Sequence, residues 1–226
     1  MSDKPHHHGH RKRLRERFMK AGTGTLPDYE LLELILFQAH PRLDVKPLAK
    51  QLISHFGSFA DVISASPERL AEVKGVGPTV IASLKVINEA AIRLAGAKVK
   101  NQPILASWTA LIDYCQASMA FGDKEQFRVL FLNKKNRLIA DEILQEGTID
   151  HTPVYPREVA KRALELGSSA IILVHNHPSG DPRPSKSDID MTKTIVQAGE
   201  SLGIVVHDHI IVSRGDYASF KTMGLL

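Results

Sequence analysis

The stretch 174–190 reads V-H-N-H-P-S-G-D-P-R-P-S-K-S-D-I-D, and its side chains can do chemistry. The spacing is His175, one residue, His177, seven residues, Ser185, two residues, Asp188. The short β-branched run 170–174 ahead of it predicts a buried strand. Side chains alternate along a strand, so the two imidazoles point to one side and Asn176 to the other. Two imidazoles converging at a strand mouth, with a carboxylate soon after, form the geometry of a metal site. Each fragment alone has a plainer reading. Ser185 to Asp188 is S-x-x-D, a capping box for the helix after it, and an isolated H-x-H is more often packing or surface. Together, across a loop stiffened by Pro178, Pro182 and Pro184, they favour a metal. Ser185 can cap the helix and still face that metal.

The elements that must position these groups come in two blocks. Residues 1–26 carry His6, His7, His8 and His10, then Arg11, Lys12, Arg13, Arg15, Arg17 and Lys20, and are expected to be a flexible basic arm. Residues 27–96 are expected to form a small all-α domain. Helices open at Asp28, at Asp44 (ending at Gly57), at Ser66-Pro67 (ending at Lys74) and after Pro78. Residues 97–103 have the composition of a linker. In residues 104–226 the pattern changes. A helix from Ser107 turns Leu111, Ile112, Cys115 and Met119 inward. Strands at 127–132 and 137–144 flank a turn at 133–136. Next come a helix at 156–166, the strand at 170–175, a helix at 185–202 with Ile189, Ile195, Val196 and Leu202 buried, a strand at 204–212 and a closing helix at 216–223. That order indicates an α/β domain, a mixed sheet flanked by helices. Thr148 and Asp150 are expected in a loop after the second strand.

Composition narrows the chemistry. The chain has 226 residues, a formal charge of +4 and a single cysteine. One cysteine excludes an internal disulfide and a zinc site built from several thiolates of one chain, and fits a reducing, cytoplasmic home. It also excludes a zinc nucleobase deaminase, which needs P-C-x-x-C. A pI of about 9.1 is compatible with a nucleic-acid partner without demanding one. No run approaches the roughly 20 apolar residues of a membrane span.

The spacing H-x-H-x7-S-x2-D resembles the signature of the JAMM (MPN-plus) zinc metalloproteases. Residues 12–226 as a whole, including H-N-H-P-S-G-D-P, are similar to the bacterial RadC family. The resemblance implies the JAMM/MPN fold, with its cytidine-deaminase-like layout. It implies one Zn2+ per chain on His175, His177 and Asp188, with water in the fourth place. Ser185 takes the position that stabilises the oxyanion. The general base is a glutamate just before the first strand of the sheet, a place held by Glu125; Glu142 and Glu146 are the alternatives at the far end of the hairpin. Asp208 and His209 fall in a shared Asp-His-Ile-Ile pattern and read as architectural. His207 and His209 repeat the two-residue spacing, so one of them packs near the pocket or partners a ligand, though a second metal site is conceivable.

The segment 70–84 resembles a helix-hairpin-helix motif. In that family a G-V-G turn, here Gly75 to Gly77, offers backbone N–H groups to a DNA phosphate, with Lys74 and Lys85 as helpers. The plainer alternative is a tight helical hairpin. The expected function is a zinc-dependent hydrolase, a metallopeptidase or isopeptidase, recruited to DNA. The alternatives are a DNA-repair-associated DNA-binding protein or a metal-dependent nuclease.

Overall fold

The computed structural model describes residues 9–21, 24–100, 103–147 and 154–226. His6, His7, His8, Thr148 and Asp150 lie outside the described residues, as do positions 101 and 102 of the expected linker. The chain divides into two compact units, 1–90 and 91–226.

The first unit holds α1 (His10–Ala21), α2 (Asp28–Ala39), α3 (Lys46–Phe56), α4 (Phe59–Ser64), α5 (Pro67–Ala71) and the start of α6 (Pro78–Lys100). Leu32, Leu36, Leu52, Leu70 and Leu84 are fully buried at its centre. Burying such a side chain is worth about 1.5–3 kcal/mol. Ser66 caps α5 by accepting from Arg69 N–H, and Gly57 ends α3 at a φ of 109°, which only glycine adopts without strain. Asp28 is not a cap. It is the first residue of α2, and its carboxylate accepts the Phe59 N–H at 2.8 Å, joining the start of α2 to α4.

Residues 10–21 are not a flexible arm. Leu14 is buried, and the Arg11 guanidinium donates to the carbonyls of Phe37, His40 and Leu43 while lying over the Phe37 ring. His10 meets Glu33 at 2.7 Å and Arg17 pairs with Glu30. The basic residues that looked like a solvated tail therefore answer two carboxylates and a row of carbonyls on α2 and just beyond it. The expected linker also fails at its start, because α6 runs unbroken through Gly96 to Lys100. Gly96 is there for a close approach: a Cβ would stand 3.1 Å from the Tyr114 ring.

The second unit contains α7 (Trp108–Met119), β1 (Glu125–Leu132), β2 (Leu138–Gly147), α8 (Pro156–Glu165), β3 (Ala170–Asn176), α9 (Lys186–Glu200), β4 (Val205–Ser213) and β5 (Asp216–Ser219). The sheet order is β2-β1-β3-β4-β5; only β3 and β4 run parallel, joined by the crossover helix α9. Ala170, Ile172 and Val174 face α7 through Leu111, Ile112, Cys115 and Met119. Ile171 and Leu173 face Val159 and Ala163 of α8 and Ile195 of α9. Both faces of β3 are thus covered, which accounts for its continuous apolar run. Cys115 is fully buried, and burial pushes its thiol up to about 12, so it is a packing residue.

Two expectations at the end of the chain are overturned. Residues 216–219 form a strand rather than the start of a helix. A tight Arg214-Gly215 turn returns the chain antiparallel to β4, with Gly215 at a φ of 83°. Asp208 anchors the segment at the end of β5, accepting from Ser219 Oγ and from the Lys221 N–H. Leu202, expected inside, is 43% exposed beyond the end of α9.

Candidate metal centre

The strand register carries the site. β1 and β3 are antiparallel with Phe127 opposite His175. At this end of the strand pair Glu125 opens β1 and His177 directly follows β3. Ligand atoms of Glu125, His175 and His177 all lie within 4.8 Å of one another. Asp188, in the first turn of α9, stands with Oδ1 3.6 Å from His175 Nε2 and Oδ2 3.7 Å from His177 Nε2. Four side chains, from β1, from the end of β3 and the residue after it, and from α9, therefore converge.

Asp188 also completes the cap of α9. Its Oδ2 accepts the Ser185 N–H at 2.7 Å, and its own N–H donates to Ser185 Oγ at 3.1 Å. The expected capping box is formed, and it leaves the Asp188 carboxylate beside both imidazoles. The cap uses a lone pair of the Ser185 hydroxyl and leaves its proton to donate elsewhere. Around the loop, His177 Nδ1 faces the Asp181 carbonyl at 2.7 Å, and Arg183 clasps the Asp181 carboxylate. A carbonyl only accepts, so His177 Nδ1 donates to it, and Nε2 is the atom that faces Asp188.

This donor set fits a metal. A tetrahedral ion with bonds of about 2.0–2.1 Å sets neighbouring donors roughly 3.3 Å apart. The imidazole–carboxylate separations of 3.6 and 3.7 Å, which run to different oxygens of Asp188, are near that spacing and longer than a good hydrogen bond.

Charge is arranged accordingly. Burial pushes His175 down to about 4, outweighing the nearby Asp188 carboxylate. His177 is raised, chiefly by Asp188, against its partial burial. Burial alone would raise Asp188, but the two imidazoles and the Ser185 contacts hold its carboxyl well below the usual range. His175 is thus neutral near pH 7 and Asp188 ionised, the forms that bind a cation.

Asn176 lies between the two histidines in the chain and faces the other way. Its Oδ1 accepts the Gln126 N–H at 2.7 Å and its Nδ2 donates to the Lys124 carbonyl at 3.0 Å. These two groups flank Glu125, so Asn176 fixes the backbone that presents that carboxylate.

The alternative glutamates are engaged elsewhere. Glu142 receives two hydrogen bonds of 2.7 Å from Arg162 of α8, which lower its pKa. Glu146 lies beside Gln126 and Lys124. His207 and His209 part company at a β-bulge: Ile171 pairs with Val206 and Ile172 with Asp208, leaving His207 as the extra residue. The bulge sends His207 to Asn136 Oδ1 at 2.7 Å, and His209 to the face of His175. Thr192, one helical turn beyond Asp188, meets His209 there; the i, i+4 spacing was the available signal for it.

In the helical unit, Gly75 has a φ of 95° in the turn before α6, and Lys74 is exposed. Lys85 is not available to a phosphate in the expected way. Its Nζ donates to the carbonyls of Ile63, Ser64 and Ala65 at 3.0–3.2 Å, closing the C-terminal end of α4. Among the described residues, no helix is long and apolar enough to cross a membrane.

Two family models match the chain. One, described as a RadC-like JAB domain, matches residues 105–225, and one described as UPF0758 N-terminal matches residues 6–82. A UPF0758 protein of Ruegeria pomeroyi is 59% identical over 217 residues, covering 96% of this chain and 97% of its own. A UPF0758 protein of Rhodobacter capsulatus is 60% identical over 213 residues, covering 94% of this chain and all of its own.

Proposed function

The chain belongs to the RadC-like JAB domain family, and on that premise we propose that it is a zinc-dependent hydrolase acting on a peptide or isopeptide bond. The observation that carries the reading is the convergence of Asp188 on both Nε2 atoms with Glu125 across the strand pair. His175, His177 and Asp188 would hold one Zn2+, three protein ligands with an open position being the catalytic rather than the structural arrangement. The ion, when bound, supplies Lewis acidity and lowers the pKa of a water to about 7. Glu125 would take the proton of the attacking water and return it to the leaving amine; its position within 4.8 Å of ligand atoms of both imidazoles supports that role. The Ser185 hydroxyl, anchored by its cap, keeps a spare donor for the negative charge that develops on the carbonyl oxygen.

The test is Glu125→Gln assayed on peptide and isopeptide substrates alongside metal content. The expected result is full metal loading with turnover reduced by about 10²–10⁴-fold. Undiminished turnover would remove Glu125 from the base role. Cleavage of phosphodiesters but of no peptide would turn the reading to a metal-dependent nuclease, since the same groups serve attack at phosphorus.

A second reading, DNA contact through the helical unit, is supported by the turn Lys74–Pro78, where Gly75 takes a left-handed conformation directly before the 23-residue helix α6. It expects weak, steeply salt-dependent binding that weakens when Gly77 is replaced by a bulkier residue. Unchanged binding would exclude this turn as the contact.

A further inference from the structure

His209 is fully buried, and both of its ring nitrogens meet a partner. Nδ1 lies 2.7 Å from Thr192 Oγ1, and Nε2 lies 3.3 Å from His175 Nδ1. Thr192 Oγ1 in turn lies 2.5 Å from the Asp188 carbonyl oxygen. The chain of hydrogen bonds therefore runs from the backbone of one candidate ligand to the ring of another.

Proton counting gives this chain a direction. A carbonyl oxygen only accepts, so the single hydroxyl proton of Thr192 goes to Asp188. Thr192 Oγ1 must then accept from His209, whose proton is on Nδ1. His209 Nε2 is left as a lone pair and accepts from His175, whose proton is also on Nδ1. The result is that His175 Nε2 carries a lone pair, and that is the atom facing the Asp188 carboxylate. The rings cannot swing to another arrangement easily. His209 is held against Phe220 at 4.4 Å and Phe127 at 5.9 Å between centroids.

We propose that His209 and Thr192 are positioning residues of the metal centre, fixing the tautomer and orientation of His175 so that Nε2 is offered to the ion. This deepens the reading of His175, His177 and Asp188 as metal ligands and rests on it. His209 is itself not a ligand, because its Nε2 is occupied by His175. Thr192 links α9 to β4, whose His209 in turn meets His175 of β3. Partners of this kind, hydrogen-bonded to a ligating imidazole, are worth about 10–100-fold in metal affinity.

The experiment uses the full chain with 15N-labelled histidine. In metal-free wild type, long-range 1H–15N correlation spectra should show His175 and His209 both as the Nδ1–H tautomer. Zn2+ affinity is then measured by chelator competition for wild type, Thr192→Val and Thr192→Ser. Valine keeps the shape and removes the hydroxyl; its protein should show a mixture of tautomers at His209 and bind Zn2+ about 10–100-fold more weakly. Serine should restore both properties. An Nε2–H tautomer at either ring in wild type overturns the proposal, as does a valine variant with unchanged tautomers or unchanged affinity, or a serine variant that restores neither. Should Thr192→Val not fold, the wild-type spectrum and the serine variant still decide. Should wild type bind no Zn2+ while showing the expected tautomers, the ligand reading fails and the hydrogen-bond chain stands.

Discussion

Asn176 grips the backbone on both sides of Glu125, accepting from the residue after it and donating to the residue before it. The ligand pair His175 and His177 and the carboxylate opposite are thereby coupled through the one residue that separates the histidines. Asn176→Ala should cost about 1–3 kcal/mol of unfolding free energy, because it leaves a partly buried N–H and carbonyl unanswered. The Gln126 amide should lose its protection from hydrogen exchange. Wild-type protection at Gln126 would mean that β1 is held by its strand pairing alone.

Cap and ligand functions of the α9 start can be separated. Ser185→Ala should lower stability by about 1 kcal/mol and leave metal affinity nearly unchanged. Asp188→Asn keeps an acceptor for the Ser185 N–H but loses the charge and an anionic donor. Its stability without metal should also fall near pH 7, because the contacts that hold the Asp188 carboxyl below its usual range act on the charge, and metal binding should be lost. Chelator competition and denaturant titration on both variants measure the two effects. Equal loss of metal in both would show that the cap, not the carboxylate, sets the site.

The site was more legible in sequence than its supports. His175, His177, Ser185 and Asp188 lie within one strand–loop–helix, where periodicity and spacing speak directly. Glu125 came from resemblance, and the antiparallel pairing of β1 with β3 brings it beside His175 and His177. That one of His207 and His209 partners a ligand was legible from their spacing; which of them was not, because only the bulge at His207 puts His209 on the same face as His175. The arm at 10–21 was misread because its charge pattern says nothing of Glu30 and Glu33, which answer it from the next helix. The strand at 216–219 was misread because its pairing depends on a turn, and the anchoring Asp208 lies on another strand.

Acid should destabilise the metal-free protein. Burial depresses both His175, to about 4, and His209 in the folded state. Below about pH 6.5 the unfolded chain takes up protons that these rings refuse, so stability is present above that pH and is lost as pH falls toward the folded values. The slope is about 1.4 kcal/mol per pH unit for each such ring, before His177, whose raised pKa works in the opposite sense, is subtracted. Denaturant titrations between pH 7 and 5 should show a falling free energy, and His209→Gln should flatten it. An unaltered slope in that variant would mean that His209 takes up its proton in the folded state as readily as in the unfolded one.

Lys85 offers a check on the helical unit. Replacing it with Met keeps the stem and deletes three charge-assisted hydrogen bonds to the end of α4. Thermal unfolding should reveal a loss of about 1.5–3 kcal/mol. Lys74→Ala, at an exposed position, should leave stability within about 0.5 kcal/mol of wild type. A neutral Lys85→Met would show that water replaces the ammonium at those carbonyls without loss.

The most direct measurement is the zinc content of purified wild type and His177→Ala after equilibration with Zn2+ and removal of free ion. The account predicts one Zn2+ per chain in wild type and close to none in the variant, with both proteins folded. Stoichiometric zinc in His177→Ala would contradict the assignment of His175, His177 and Asp188 as the metal's ligands.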